Sequence, residues 1–163
     1  INTENPSKVG QDRLINAAAA FQQYKSSLVI VDCGTATTID VVTDDGVFQG
    51  GVICPGLLTS ADELYSKAAQ LFQVNLEMPK KLIGKNTTES LKSGLIYGYG
   101  GMIESLINKL TKEIKQQNQP DPTVVITGGL AAKILPIVPK AIYHEDLTLR
   151  GLYLCYSMNI TRK

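Results

Sequence analysis

Residues 28–56 read LVIVDCGTATTIDVVTDDGVFQGGVICPG, and they are the most informative segment for the fold. An apolar run ends on Asp32, a Gly-Thr turn follows, and a second run rich in β-branched residues carries Asp40. Asp44-Asp45-Gly46 is typical of a hairpin turn, and a third run reaches Pro55-Gly56. The pattern predicts three antiparallel strands joined as a meander.

The first turn of this meander also contains residues that could bind a ligand. It combines the carboxylate of Asp32 with Gly34 and the hydroxyls of Thr35 and Thr37. A glycine lets backbone N–H groups approach phosphate oxygens, and a carboxylate at a strand end can hold a hard cation. We therefore expect a phosphate and cation site here, although a plain tight turn with threonines of high β propensity is the alternative. The turn is not a Walker A loop, because no Gly-Lys-Ser/Thr ending is present.

Helices and further strands surround the meander. A helix is predicted before it, and the order from residue 28 onward is β-β-β-α-α-β-α-β-α. The predicted segments after the meander are a helix over 56–71, a long helix from Thr88, a strand over 123–126, a helix from about Leu130, a strand over 141–143 and a helix over 147–158. This order predicts an α/β layer fold with a mixed sheet. It resembles one lobe of the actin-like, sugar-kinase and Hsp70 ATPase superfamily, which is ribonuclease H-like.

The length of 163 residues suits one domain or one lobe of a larger protein. We divide it into a helical segment, residues 1–27, and an ATPase-like lobe, residues 28–163. Four glycines interrupt the long helix, where they lower helix propensity, so we expect close backbone packing around them; they are Gly94, Gly98, Gly100 and Gly101. The neighbouring Tyr97 and Tyr99 are expected in a packed or subunit interface.

Composition narrows the class of protein. A net charge of +1 gives no basic field, which argues against nucleic acid as a partner. No run reaches the ~20 apolar residues of a membrane span, so we expect no membrane association. The cysteines at positions 33, 54 and 155 form no CxxC pair, which indicates neither a disulfide framework nor a metal framework and favours a reducing cytoplasm.

Asp12 and Arg13 lie where the first helix is expected to begin. A carboxylate there can serve as a general base for a substrate hydroxyl, and the guanidinium can grip a substrate carboxylate. The alternative is structural, because an acidic side chain in the first turn of a helix gains from the helix dipole.

Two further segments could meet a ligand. Thr127-Gly128-Gly129 follows a predicted buried strand and would allow close approach of a nucleoside, although a glycine pair there is also a common packing device. Thr87, at the end of Gly84-Lys85-Asn86-Thr87, could donate to a ligand or simply begin the next helix.

Taken together, these residues resemble the type III pantothenate kinase family. The matching pieces follow one another in family order over nearly the whole chain: Asn5-Pro6, Gly10-Gln11-Asp12-Arg13, Asp32-Cys33-Gly34-Thr35-Ala36-Thr37-Thr38, Gly50-Gly51-Val52-Ile53, Pro55-Gly56, Gly84-Lys85-Asn86-Thr87, Ser93-Gly94, Tyr97-Gly98-Tyr99, Thr127-Gly128-Gly129-Leu130-Ala131, Asp146-Leu147-Thr148-Leu149 and Gly151-Leu152. Each piece alone is weak evidence for the family, whereas the whole set in this order is specific to it.

The resemblance implies ATP-dependent phosphorylation of pantothenate to 4'-phosphopantothenate, the first step of coenzyme A synthesis. It implies that Asp12 is the catalytic base, and that pantothenate is also contacted by Gly10, Gln11, Arg13 and Thr87. It places a monovalent cation, K⁺ or NH₄⁺, on Asp32.

The same resemblance implies ATP with Mg²⁺ as the phosphoryl donor. ATP is expected at Gly34 and Thr35, and adenosine beside Thr127, Gly128 and Gly129. It further implies a homodimer with its active site close to the subunit boundary.

One departure from the family is large. The Asp-x-Gly-Asn-Thr phosphate motif that opens these kinases is absent, so we expect this chain to be the C-terminal portion of the enzyme, inactive without the N-terminal lobe. A kinase-like accessory or regulatory binding protein without catalysis is the first alternative. A sugar kinase of the same superfamily is the second, although it does not explain the segments 10–13 and 84–87.

Overall fold

The computed structural model describes residues 1–160, so the last three residues of the predicted lobe lie outside the described residues. A 3₁₀ turn precedes the regular elements, which are α1 (Gln11–Tyr24), β1 (Leu28–Cys33), β2 (Ala36–Val42), β3 (Phe48–Pro55), α2 (Leu57–Lys67), α3 (Thr87–Gln116), β4 (Thr123–Thr127), α4 (Ala131–Ile134), β5 (Ile142–Tyr143) and α5 (Leu147–Ile160). The predicted order of elements is confirmed. None of the helices within 1–160 is long and apolar enough to cross a bilayer.

The strands form one mixed five-stranded sheet in the order β3-β2-β1-β4-β5. β1, β2 and β3 pair antiparallel, as the meander requires, whereas β4 pairs parallel to β1 and β5 parallel to β4. The carboxyl ends of β1, β4 and β5 therefore share one edge of the sheet with the β1–β2 turn. We call this the site edge, because ligands of open α/β sheets bind outside the carboxyl ends of the strands.

Alternation along β1 sends its side chains to two different faces. Val29, Val31 and Cys33 pack into an apolar cluster with α2, α3 and α4, on what we call the α3 face. Leu28 and Ile30 point to the opposite face, which we call the α1 face, where they pack with α1 and α5. Both faces are covered by helices, so the predicted α/β layer fold is confirmed.

The predicted helix over 56–71 is shorter than expected. α2 ends at Lys67, and Ala68 adopts extended backbone. The chain then turns so that Leu71 and Val74 pack against the apolar cluster of the α3 face. Tertiary burial of these two side chains outweighs the local helical pattern.

The glycines of α3 do not share one role. A Cβ on Gly100 would lie 2.5 Å from the side chain of Ile137, so the expected close packing is confirmed there. It is wrong for Gly94, Gly98 and Gly101, because a Cβ at each would meet nothing within 4 Å in the part of the chain that is described.

Candidate functional site

Asp32 is half-buried at the carboxyl end of β1, on the α1 face of the sheet. Its Oδ2 accepts a hydrogen bond of 2.8 Å from Nδ2 of Asn16, a buried residue of α1. Burial raises the pKa of the Asp32 carboxyl, and the negative charges of Asp12 and Asp40 raise it further, while the Asn16 hydrogen bond opposes the change. The site thus holds a carboxylate that a cation would stabilise.

Gly128 brings the β4 backbone against this carboxylate. Its φ of 96° is left-handed, and a Cβ there would lie 2.6 Å from Oδ1 of Asp32. Only glycine suits this close approach. Thr127 is buried directly opposite Asp32 in the β1–β4 register, whereas Gly129 is exposed at the site edge. Of the predicted adenosine segment, Gly129 is the residue most open to a ligand.

An open groove of about 540 Å³ lies at the site edge. It is lined by Gly34, Thr35 and Gly129, which are three of the five residues predicted to contact ATP. The Thr35 side chain is exposed, while its carbonyl accepts hydrogen bonds from the Gly56 backbone N–H at 3.0 Å and the Thr59 hydroxyl at 2.8 Å. These bonds fix the turn that would receive phosphates.

The amino end of α2 lies against the same turn, with Gly56 as its N-cap. The N-terminus of a helix carries partial positive charge and N–H groups without helical partners, which favours an anion such as phosphate. The turn, the helix end and the groove therefore suit a phosphate-bearing ligand.

Thr37 does not contribute to this groove, and the expectation that it does is wrong. It pairs with Cys33 in the β1–β2 register and is fully buried on the α3 face, where its hydroxyl is hydrogen-bonded to that of Tyr99. Burial raises the pKa of the Cys33 thiol beside them to about 11. Tyr99 is therefore a packed residue, as expected, and Thr37 is part of the core.

Asp12 is exposed in the first turn of α1, and its Oδ1 accepts a hydrogen bond of 2.9 Å from the backbone N–H of Arg13. A side chain at position 10 would collide with that oxygen, because a Cβ on Gly10 would lie 2.5 Å from it. Glycine at this position therefore permits the observed orientation of the Asp12 side chain. Asp12 lies one helical turn before Asn16, which binds Asp32, and next to Arg13, which binds Asp40, and its charge raises the pKa of both of these carboxyls. Gln11, next to Asp12, is exposed.

Arg13 is held by a partner that the sequence does not reveal. Its Nε donates to Oδ1 of Asp40 at 2.9 Å, its Nη2 donates to the same oxygen, and its guanidinium lies 5.6 Å from the ring centroid of Phe48. Asp40 is 2% exposed and Arg13 14%. Burial raises the pKa of Asp40, and the hydrogen bonds and charge of Arg13 oppose this effect. Arg13 is thus held against β2 by Asp40, and its Nη1 takes no part in the hydrogen bonds to Asp40.

Thr87 begins α3 and is exposed. The preceding Asn86 caps the helix by accepting from the backbone N–H of Glu89 at 2.9 Å, and the Glu89 carboxylate accepts from the N–H of Lys85 at 2.8 Å. This is a reciprocal capping arrangement. Within residues 1–160, no described hydrogen bond, ion pair or shared groove joins Thr87 to the site edge. Its substrate role stays a prediction.

Sequence reasoning missed three residues around Asp32, namely Asn16, Asp40 and Thr148. A charged residue inside the buried run of β2 was a signal that Asp40 needs a partner. For Asn16, the only available signal was a polar residue directly before the alanine run of the first helix. Thr148 hydrogen-bonds to Asn16 across 132 positions of sequence, and local patterns do not report such contacts.

A metal held by protein side chains alone does not fit this site. Within the described part of the chain, no three His, Cys, Asp or Glu residues cluster as metal ligands would. Mg²⁺ commonly binds through one or two carboxylates together with substrate phosphates and water. The single carboxylate of Asp32, next to a groove suited to phosphate, fits a cation that binds together with the nucleotide.

Comparison with known proteins agrees with this geometry. The sequence model of the type III pantothenate kinase family matches residues 1–109. A type III pantothenate kinase of Bacillus cytotoxicus is 44% identical over 161 residues, which are 98% of this chain and 60% of that protein. The chain thus spans 60% of the length of this curated relative.

A solved structure from Campylobacter jejuni, described as a Baf family transcriptional activator, superposes with a TM-score of 0.65. It is 25% identical, and the match covers 99% of this chain and 69% of that one. The family model and the curated relative together cover the elements that build the site edge, from α1 through α5. The chain belongs to the type III pantothenate kinase family.

Proposed function

We propose that the full-length protein transfers the γ-phosphoryl group of ATP to the primary hydroxyl of pantothenate. The observation that carries this proposal is that α1, with Asp12 in its first turn, is hydrogen-bonded through Asn16 to Asp32 at the site edge, where the phosphate-suited groove lies. The identity of 44% to a type III pantothenate kinase supports it. The activity is proposed for the whole protein, since the chain spans 60% of that relative.

In this proposal the groove binds the nucleotide. Thr35 presents its backbone N–H group and its hydroxyl to the phosphates, Gly34 leaves room for them, and the amino end of α2 adds favourable electrostatic potential. Gly129, with Gly128 and Thr127 behind it, contacts the nucleoside. Phosphoryl transfer depends on positioning and on stabilising charge, and Mg²⁺ bound with ATP neutralises charge on the phosphates.

Asp12 is the proposed general base. Its carboxylate is exposed one helical turn before Asn16, the residue that binds Asp32, so in this proposal it accepts the proton of a hydroxyl that enters beside the phosphates. Arg13 is held by Asp40 and offers Nη1 to the substrate. Gly10, Gln11 and Thr87 complete the proposed pantothenate site.

Three further parts of the proposal follow the family resemblance. Asp32 holds K⁺ or NH₄⁺, the enzyme is a homodimer, and it acts in the cytoplasm. The half-buried carboxylate of Asp32 supports the cation, and the free thiols of Cys33, Cys54 and Cys155 are compatible with a reducing compartment.

A regulatory binding protein is the second candidate. The likeness to a structure described as a Baf family transcriptional activator favours it. The joint presence of Asp12, Arg13, Asp32 and Thr35 favours the kinase, because a binding module does not require all four. The discriminating observation is an Asp-x-Gly-Asn-Thr motif elsewhere in the full-length protein, which catalysis needs.

The test is ADP release by the full-length protein with Mg·ATP and pantothenate, with a hexose as the control acceptor and K⁺ exchanged for Na⁺. We expect release that depends on pantothenate and on K⁺, and none with the hexose. Equal rates with and without pantothenate would reject the kinase proposal, and release with the hexose alone would point to a sugar kinase.

A further inference from the structure

A line of hydrogen bonds runs from α5 through α1 to Asp32. The hydroxyl of Thr148 donates to Oδ1 of Asn16 at 2.7 Å, and Nδ2 of Asn16 donates to Oδ2 of Asp32 at 2.8 Å. Asn16 is 2% exposed, so its amide is held almost entirely by these two partners. The chain Thr148–Asn16–Asp32 thus connects the first turn of the last helix to the site edge.

The direction of the Asn16 amide matters for Asp32. An amide can rotate and exchange its oxygen and nitrogen, and only the nitrogen can donate to a carboxylate. The Asp32 carboxylate can only accept and therefore takes the NH₂ group, while the Thr148 hydroxyl donates to the amide oxygen, so that both ends of the amide are held. Without the Thr148 donor the buried amide oxygen loses its partner, and the amide can tilt away from its present contact with Asp32.

The position of α5 makes this contact specific. A Cβ on Gly151 would lie 2.4 Å from the backbone oxygen of Ile15, so α5 packs directly on the α1 backbone one turn from Thr148. Thr148 is half-buried at this helix contact. Its hydroxyl is therefore placed by backbone packing and does not depend on a flexible segment.

We propose that Asn16 and Thr148 are positioning residues that orient the Asp32 carboxylate for the nucleotide and its cation. This inference rests on the proposed function of Asp32, and it adds α5 to the machinery of the site. Neither residue touches the reacting atoms in this account. They leave Oδ1 of Asp32, the oxygen that lies toward Gly128, as the oxygen for the cation.

A purely structural role is the competing explanation, because a buried amide needs partners wherever it lies. The two explanations differ in what a mild substitution changes. Thr148→Val removes the hydroxyl and keeps the shape, whereas Thr148→Ser keeps the hydroxyl. A structural role predicts a change in melting temperature alone, and a positioning role predicts a change in nucleotide and cation affinity.

The experiment uses the full-length protein and compares Thr148→Val, Thr148→Ser and Asn16→Asp with the wild type. We expect Thr148→Val to raise the ATP KM, the K⁺ activation constant and the calorimetric Kd for Mg·ADP about 2- to 10-fold, the value of one hydrogen bond. The pantothenate KM should stay unchanged, and Thr148→Ser should behave as wild type. Asn16→Asp, which places a second carboxylate against Asp32, should raise the ADP Kd further.

Crystal structures of the two Thr148 variants give a readout that needs no activity. We expect the Asn16 amide and the Asp32 carboxylate to change orientation in Thr148→Val and to keep it in Thr148→Ser. Unchanged orientations, or nucleotide constants within twofold of wild type in Thr148→Val, would overturn the positioning role. A wild-type protein that does not phosphorylate pantothenate would overturn the proposed function instead, and the crystal structures would still decide on the positioning role.

Discussion

On the α3 face of β1, Val29, Val31 and Cys33 are fully buried in an apolar cluster. The alternate residues of the same strand end on Asp32, which is half-buried on the α1 face and hydrogen-bonded to Asn16. β2 follows the same division, with Thr37 and Ile39 on the α3 face and Asp40 on the other. Successive residues of each strand therefore face either the apolar cluster or the candidate site. Substitutions on the α3 face should change mainly stability, and those on the α1 face mainly substrate binding or rate.

The largest effect should come from Asp12→Asn on the α1 face. Loss of a general base typically lowers the rate by about 10²–10⁴, so we expect a drop in kcat of this order in the full-length enzyme with an unchanged ATP KM. The free energy of unfolding should change by less than ~1 kcal/mol, since only the first-turn helix contact is altered. Steady-state kinetics and denaturant titration check both parts, and an unaltered kcat would remove Asp12 from the chemistry.

Ile103→Ala on the α3 face should show the reverse pattern. Ile103 is fully buried in the apolar cluster, and truncating such a side chain costs about 2–5 kcal/mol of stability. Per folded molecule, kcat and the ATP KM should remain as in the wild type. Leu149→Ala on α5 is the matched control, because this side chain is 68% exposed and should change stability by less than ~0.5 kcal/mol. Equal losses in the two variants would contradict the assigned burial.

The polar pair within the α3 face sharpens the comparison. Thr37→Val leaves the buried Tyr99 hydroxyl without this partner, and we expect a loss of about 1–3 kcal/mol in the free energy of unfolding. Adding Tyr99→Phe removes the second hydroxyl and should restore part of the loss. Nucleotide affinity should not change, and a raised ATP KM in Thr37→Val would return Thr37 to the phosphate site.

The smallest effect should be the pH dependence that comes from His144 after β5. Its Nε2 shares a hydrogen bond of 2.6 Å with the Tyr24 hydroxyl of α1, and burial followed by the charge of Arg150 lowers the pKa of His144 from 6.5. The unfolded chain therefore takes up a proton at a higher pH than the folded one. The stability contribution is fully present above pH 6.5 and should be lost as the pH falls below it.

His144→Gln provides the control for this dependence, because glutamine does not titrate. The difference in unfolding free energy between wild type and variant should shrink from pH 7 to pH 5. A difference that grows on acidification would mean that the pKa is raised, against the burial observed.

Much of the fold could be predicted from the sequence because its signals are local. Alternating apolar residues and the Asp-Asp-Gly turn predicted the meander, and helical periods predicted the order of the remaining elements. The end of α2 could not be predicted, since Leu71 lies beyond the helix and, together with Val74, packs against the apolar cluster of the α3 face. Of the four α3 glycines, only Gly100 meets a neighbour closely within residues 1–160, and that neighbour, Ile137, is distant in sequence.

The candidate site shows the same limit. Asp12, Asp32 and the Gly34–Thr35 turn could be recognised by residue type and position relative to strand and helix ends. The contacts around the site could not be predicted, because each joins residues that are distant in sequence. Asp40 binds Arg13, Asn16 binds Asp32, and Thr148 binds Asn16. The side of the sheet that Thr37 faces required the register of β1 and β2.

A crystal structure of the full-length protein with pantothenate and a non-hydrolysable Mg·ATP analogue would show whether Asp12, Asp32 and the Gly34–Thr35 turn meet the two substrates. We expect phosphate oxygens at Gly34 and Thr35, a cation on Asp32, and the pantothenate hydroxyl about 3 Å from the Asp12 carboxylate. A nucleotide bound away from the carboxyl ends of β1 and β4, or a pantothenate hydroxyl out of reach of Asp12, would contradict the proposed function.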